Sequence, residues 1–312
     1  MVLLVTLLPA LLCDMIFPDV LRRGSVSHGN GIMIALLLAA TMPPATPLHV
    51  VAASTFFALA VVKWTFGGTG AYWVNPVAAG YAFAVVSYPG FGNDWLLPRT
   101  LGGSGTGTIA PLQLLEGATV EMPSRLVQAY HRISGVSATG TDGRVAAFVN
   151  DLELLSLRVP PGYVDLFLGN VAGTLGGTSV ALLLLTSILL LGRGVISAMT
   201  PIFFLFTFSL VVFLFGALPF GGSLFGGDVL FHLTTGATLL GAFFIATETV
   251  SSPLTDGGVV VYAVLGGLLA GLLRLFGAGV HAVMLAILVI NMVVPLIDRF
   301  SLPRRYGSGW WR

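Results

Sequence analysis

Between Asp165 and Asp228 the chain carries a single charged side chain, Arg193. A run this long with so little charge cannot form a water-facing surface, and about 20 mostly apolar residues suffice to cross a bilayer as a helix. The same bias holds throughout. Only 9% of the 312 residues are charged and 56% are apolar, with a mean hydropathy of +0.95, whereas soluble domains carry roughly 25% charged residues. A soluble enzyme, a disordered scaffold and a secreted disulfide domain are therefore excluded. The lone cysteine, Cys13, rules out an internal disulfide or a cysteine metal cluster. The 14 basic and 13 acidic residues nearly cancel, leaving no basic face for nucleic acid.

The expected fold is an all-α polytopic membrane protein of about nine spans or half-spans. The candidates lie near 2–17, 31–42, 48–66, 71–90, 173–192, 197–219, 229–247, 257–276 and 279–297. A cleaved signal peptide fits 1–17 poorly, because it lacks a basic start and Asp14 interrupts the run. Arg22, Arg23, Lys63, Arg193, Arg299, Arg304, Arg305 and Arg312 then fall on one face, which the positive-inside rule makes cytoplasmic. Arg274 alone lies at a short-loop end of the opposite face. The chain divides into a first membrane half (1–90), an extracytoplasmic loop (91–161) and a second membrane half with a short cytoplasmic tail (162–312). A connector as long as 91–161 points to function, since compact domains seldom keep idle loops of that length.

Two stretches read alike at an offset of 206 residues, GIMIALLLAATMPPATPL from Gly31 and ATLLGAFFIATETVSSPL from Ala237. Thr41 matches Thr247, Pro47-Leu48 matches Pro253-Leu254, and after a drift of four residues Phe66-Gly67 matches Phe276-Gly277. The span order places the copies in opposite orientations, an inverted repeat of the kind that gathers sites near the membrane midplane at broken helices. Pro43-Pro44 ends the first apolar run early enough to predict a half-helix. The glycines of LGNVAGTLGGTSVALLL, Leu168 to Leu184, permit either close helix contact or a break that lines a site.

Ionisable groups inside such segments are candidates for function by default; here they are Asp14, His232, Glu248 and His281. Glu248 suits cation coordination or the end of a half-helix. His232 and His281 suit contact with a bound group or a partner, or an interhelical hydrogen bond. Asn75-Pro76, and Asn291 with Pro295, fall late in the two repeat halves, and Asn75 is the first membrane residue expected to make a backbone or ligand contact. No histidine pair has the spacing of a haem or metal site, and no GxGxxG or Walker sequence is present.

Several stretches resemble one family. They are LLPALL (Leu7–Leu12), TMPP (Thr41–Pro44), FGGTGAYWVNPVAAGY (Phe66–Tyr81) and LFLGNVAGTLGGTS (Leu166–Ser179). FHLTTGATLLGAFFIATETVSSPLT (Phe231–Thr255), GLLRLFGAGVHAVMLAILVINMVVPLID (Gly271–Asp298) and PRRYG (Pro303–Gly307) complete the set. The resemblance is to the D subunit of the Rnf electron-transport complex and its relative, the B subunit of sodium-translocating NADH:quinone reductase. The sequence departs from that family in starting late, in having only a short hydrophilic turn before Ser25 where a further helix is usual, and in having Gly177 where a glutamate is common.

The resemblance implies an inner-membrane subunit that carries covalent FMN as a phosphoester on a threonine of the outer loop, with room for a second flavin or riboflavin. It also implies partners, namely the other Rnf-type subunits, including a second FMN-bearing one. Electron flow between ferredoxin and NAD+ would be coupled to Na+ or H+ movement. Thr139, in GVSATGTD with Ser137 and Gly135 beside it, has the family's approximate distance to Gly169. Thr119 has the literal Gly-Ala-Thr triplet at a longer distance; Thr238 has it inside an apolar run, and Thr141 is a near neighbour of Thr139. Thr139 is the favoured site. The competing readings are a urea-channel-like inverted-repeat transporter and a non-flavin assembly subunit; a channel has no need of the 91–161 excursion.

Overall fold

The computed structural model describes residues 1–20, 29–92, 95, 163–169, 171–220 and 222–302. Among these the regular structure is helical. The first half comprises α1 (Val2–Val20), α2 (Gly29–Thr41), α3 (Leu48–Phe56) and α4 (Pro76–Ser87). The second comprises α5 (Tyr163–Leu168), α6 (Val180–Gly192), α7 (Met199–Phe215), α8 (Val229–Thr234), α9 (Thr238–Leu240), α10 (Asp256–Phe276) and α11 (Ala282–Ser301). Two stretches, Asp256–Phe276 and Gly279–Ser301, are long and apolar enough to cross a bilayer, while shorter apolar helices make up the remainder. α7 and α11 pack on α10, α1 packs on α2 and α3, and α4 lies between α2 and α11.

Two predicted spans start later than expected, each for a physical reason. Over 71–90 the helix waits until Pro76, because Asn75 caps it and proline is suited to a first helical turn that needs no N–H. Over 173–192 it waits until Val180, because the glycine-rich stretch before it docks as irregular backbone on the end of α2. Gly176 N–H donates to Ala40 O at 2.8 Å and Leu175 N–H to Met42 O at 3.1 Å. Those carbonyls belong to a helix end that Pro43-Pro44 has cut off, so the docking satisfies groups that would otherwise be buried unpaired. The expected half-helix at 31–42 is thereby accounted for, as α2 spans 13 residues.

The span predicted over 229–247 is broken in the middle. Thr235 is extended, and Gly236 and Ala237 both take the left-handed conformation, with φ of 64° and 54°. Only glycine adopts that region without strain, so Ala237 is held there by its surroundings. The Arg274 guanidinium clamps the break from α10. Its Nη2 donates to Thr238 Oγ1 at 2.6 Å and lies 3.2–3.3 Å from the carbonyls of Gly236 and Thr235.

The two sequence copies share local detail. α2 ends at Thr41, whose hydroxyl donates back to Leu38 O; in the second copy Thr247 donates back to Phe243 O. π-Helix occurs over Phe57–Trp64 and over Gly241–Ile245, at positions that do not correspond between the copies. Such stretches are uncommon and concentrate at functional sites.

Candidate functional site

Asn75 is 1% exposed and lies where the two membrane halves touch. Its Oδ1 accepts from Val77 N–H (2.8 Å) and Ala78 N–H (3.1 Å), capping α4. Its Nδ2 donates to Ile245 O at 3.0 Å, the last carbonyl of the second π-helix. One side chain therefore finishes a helix start in the first membrane half and a helix end in the second. With the Asn291 amide oriented as its neighbours require, its oxygen accepts from Asn75 N–H (3.1 Å). Its nitrogen then donates to Tyr262 Oη (2.9 Å) and Ile287 O (3.3 Å). The two asparagines singled out from sequence thus form one buried knot.

Three residues beyond Ile245, Glu248 leaves the helix. The Tyr72 hydroxyl, from the segment leading to α4, donates to its Oε1, and Ser251 Oγ lies 3.4 Å from Oε2. Tyr72 is 2% exposed and Glu248 is half-buried. A carboxylate with one phenol, one hydroxyl and a nearby amide knot provides oxygen atoms of the kind that hold a small hard cation or a proton. Glu248 is not a freely solvated helix-end carboxylate.

Two charges read as flanking groups are buried instead. Lys63 has no exposed surface; its Nζ meets Asp14 Oδ1 at 2.7 Å. Trp64 Nε1 donates to the same oxygen (3.1 Å), and Gly31 N–H donates to Oδ2 (3.1 Å). Asp14 therefore sits at the N-terminus of α2, where a negative charge is favoured, and Lys63 cannot count as a loop charge setting orientation. Arg274, expected at a loop end, is 3% exposed and lies over the Phe208 ring at 5.8 Å.

The histidines differ. Tyr81 Oη and His281 Nδ1 are 2.8 Å apart, an interhelical bond of the expected kind. His232 is 1% exposed and edge-on to Phe231, and neither ring nitrogen has a hydrogen-bond partner among the described residues, so the interhelical bond expected of it is not made there. Thr139, Thr119, Ser137 and Thr141 lie outside the described residues. Thr238 is buried in the clamp beneath Arg274. Sequence reasoning missed Tyr72, Tyr262 and the Arg274 clamp. For Arg274 the available signal was a guanidinium inside an otherwise uncharged helix after Asp256.

Short helices broken at mid-chain, an ion pair sealed from solvent and large apolar faces left outward, such as Leu182, Ile188, Ile202 and Phe206, define a helical membrane protein. A family model described as the NQR2, RnfD, RnfE family matches residues 1–307, and the chain belongs to that family. It is 30% identical over 284 residues to the D subunit of the proton-translocating ferredoxin:NAD(+) oxidoreductase complex of Clostridium ljungdahlii, covering 91% of this chain and 76% of that one. Identity to the D subunit of the ion-translocating oxidoreductase complex of Stutzerimonas stutzeri is 34% over 293 residues, 92% of this chain and 77% of the relative. For the D subunit of the Na(+)-translocating ferredoxin:NAD(+) oxidoreductase complex of Acetobacterium woodii it is 31% over 287 residues, 91% and 74%.

Proposed function

We propose that this chain is the membrane subunit of an ion-translocating ferredoxin:NAD+ oxidoreductase complex, holding FMN as a phosphoester on Thr139 and relaying electrons in step with Na+ or H+ movement. The observation that carries this reading is likeness to D-subunit proteins along nine-tenths of the chain. The Tyr72–Glu248–Asn75–Asn291 cluster between the two membrane halves adds support. A second FMN-bearing subunit and further membrane partners complete the complex. The copies run in opposite senses, residues 91–161 lie outside and the C-terminus inside.

When bound, FMN supplies the one- and two-electron steps. The chain's own residues hold and gate the ion: Glu248 supplies charge, Tyr72 and Ser251 orient its oxygens, and Asn75 fixes both helix ends beside it.

The test is ultraviolet fluorescence of the denatured protein band, followed by peptide mass spectrometry. A fluorescent band with an FMN-mass adduct on the Thr139 peptide is the expected result. An adduct on Thr119 keeps the function and moves the site. A dark band from a fully loaded complex overturns the flavin reading and leaves the channel and assembly-subunit alternatives.

A further inference from the structure

The connector between α7 and α8, residues 216–227, reads GALPFGGSLFGG, with one serine and no charged side chain. Its large side chains face outward. Leu218 and Leu224 are exposed, Phe225 is 62% exposed, and Leu230 in the first turn of α8 continues the patch. Phe213, near the end of α7, is also exposed and meets the Phe225 ring edge to face at 6.0 Å. The connector thereby extends the outward apolar face of α7, on which Ile202 and Phe206 stand. Contiguous exposed apolar patches mark contact with a membrane or with another protein.

Phe225 is also strained. Its φ of 68° lies in the left-handed region that a bulky residue rarely enters, although Gly226 and Gly227 follow it directly. Backbone bonds hold it there. Phe225 N–H donates to Leu214 O (3.1 Å), Gly227 N–H to Phe213 O (3.4 Å) and Gly222 N–H to Ala217 O (2.9 Å). The first two acceptors are carbonyls that α7 leaves open at its C-terminus. Glycines permit the approach: a Cβ on Gly227 would lie 1.8 Å from Val212 O, and one on Gly216 would lie 2.9 Å from the Gly227 Cα. A connector that closes its own helix end, rather than leaving those carbonyls to water, is what a non-aqueous setting demands.

α7 has 17 residues, a rise of about 26 Å at roughly 1.5 Å each, against about 30 Å for the hydrocarbon core. Residues that flank it must complete the crossing. The first charge beyond the connector is Asp228, whose Oδ1 accepts from Phe231 N–H (3.0 Å) and whose Oδ2 accepts from the Tyr163 hydroxyl. We infer that the 216–227 connector is a membrane-dipping turn that seats Leu224 and Phe225 among lipid acyl chains, with Asp228 and Tyr163 at the level where the chain returns to polar surroundings. Lipid is the occupant because the patch is continuous with the outward apolar face of α7 and offers a protein partner no charge and a single hydroxyl, Ser223, to set its register. Strain at Phe225 then has a use: it turns the ring out of the fold and into the bilayer.

The test is photo-cross-linking of the full chain in its native membrane, with its partners present. p-Benzoylphenylalanine, an aromatic residue that bonds to nearby C–H groups on irradiation, replaces Phe225, and in a reference sample Ile202 on the face of α7. The expected result is a phospholipid-mass adduct on the peptide containing position 225, in a yield within about twofold of that at position 202. A shifted band containing a second protein at position 225 would show that a subunit covers the patch and would overturn the proposal. No adduct at position 225 would place the connector in water and overturn it equally. A second variant separates lipid contact from packing. Phe225→Gly suits the left-handed backbone, so the unfolding midpoint in detergent should hold or rise; a fall would show that the ring serves the fold rather than the bilayer.

Discussion

Asp14 and Lys63 form the most tightly enclosed charge pair among the described residues. Burying such a pair contributes little net stability, but removing one partner strands the other, at a cost of about 3–5 kcal/mol. Asp14→Ala should therefore lower the midpoint of thermal unfolding in detergent sharply, whereas Asp14→Leu combined with Lys63→Met should recover most of the loss. Gly31 belongs to the same arrangement, since any Cβ there would strike the Asp14 carboxylate. Glu248 is a different case. Glu248→Gln keeps shape and can still accept from Tyr72, so the fold should hold. In proteoliposomes ion uptake should fall to near background while electron transfer persists; unchanged uptake would remove Glu248 from the ion path.

At the scale of elements, the glycine-rich stretch after 170 offers a sharp contrast. A Cβ on Gly176 would sit 2.6 Å from that of Ala40, so Gly176→Ala must push the stretch off α2 and break two backbone bonds. Overpacking of this kind costs about 1–3 kcal/mol. Gly192, in the last turn of α6, has open space around its Cβ position, and Gly192→Ala should leave the unfolding midpoint unchanged or raise it. Legibility in the sequence follows the same division. Apolar runs and the Pro43-Pro44 stop place α2, α7, α10 and α11 well, because burial in lipid or protein dominates there. The late starts of α4 and α6 and the break at Thr235–Ala237 are not legible. Each depends on a partner far along the chain: Ile245 for Asn75, Ala40 for Gly176, Arg274 for Gly236. Hydropathy sees none of these. The Asn75–Asn291 pairing is half legible, since the repeat marks both residues without showing that they touch. His232, with neither ring nitrogen bonded among the described residues, runs against the expectation of an interhelical bond.

For the whole molecule, the proposed arrangement rests on which charges face which side, and the burial of Lys63 removes it from that count. In that arrangement Arg22, Arg23, Arg193, Arg299 and the tail arginines would still share one side. Cys13, the one native cysteine, is buried, so single cysteines introduced at Thr141 or at Ser308 report their side of the membrane without background. In sealed right-side-out vesicles, Thr141→Cys should label with an impermeant maleimide and Ser308→Cys should not. The reverse pattern would invert the orientation.

Lys63 and Trp64, consecutive at the end of the π-helix of Phe57–Trp64, both reach one carboxylate. Losing a single residue anywhere in that stretch would therefore do more than shorten a helix: it would swing a buried cation out of reach of Asp14, its counter-charge. Lineages that keep Asp14 and Lys63 should tolerate substitutions along Phe57–Trp64 far more readily than deletions.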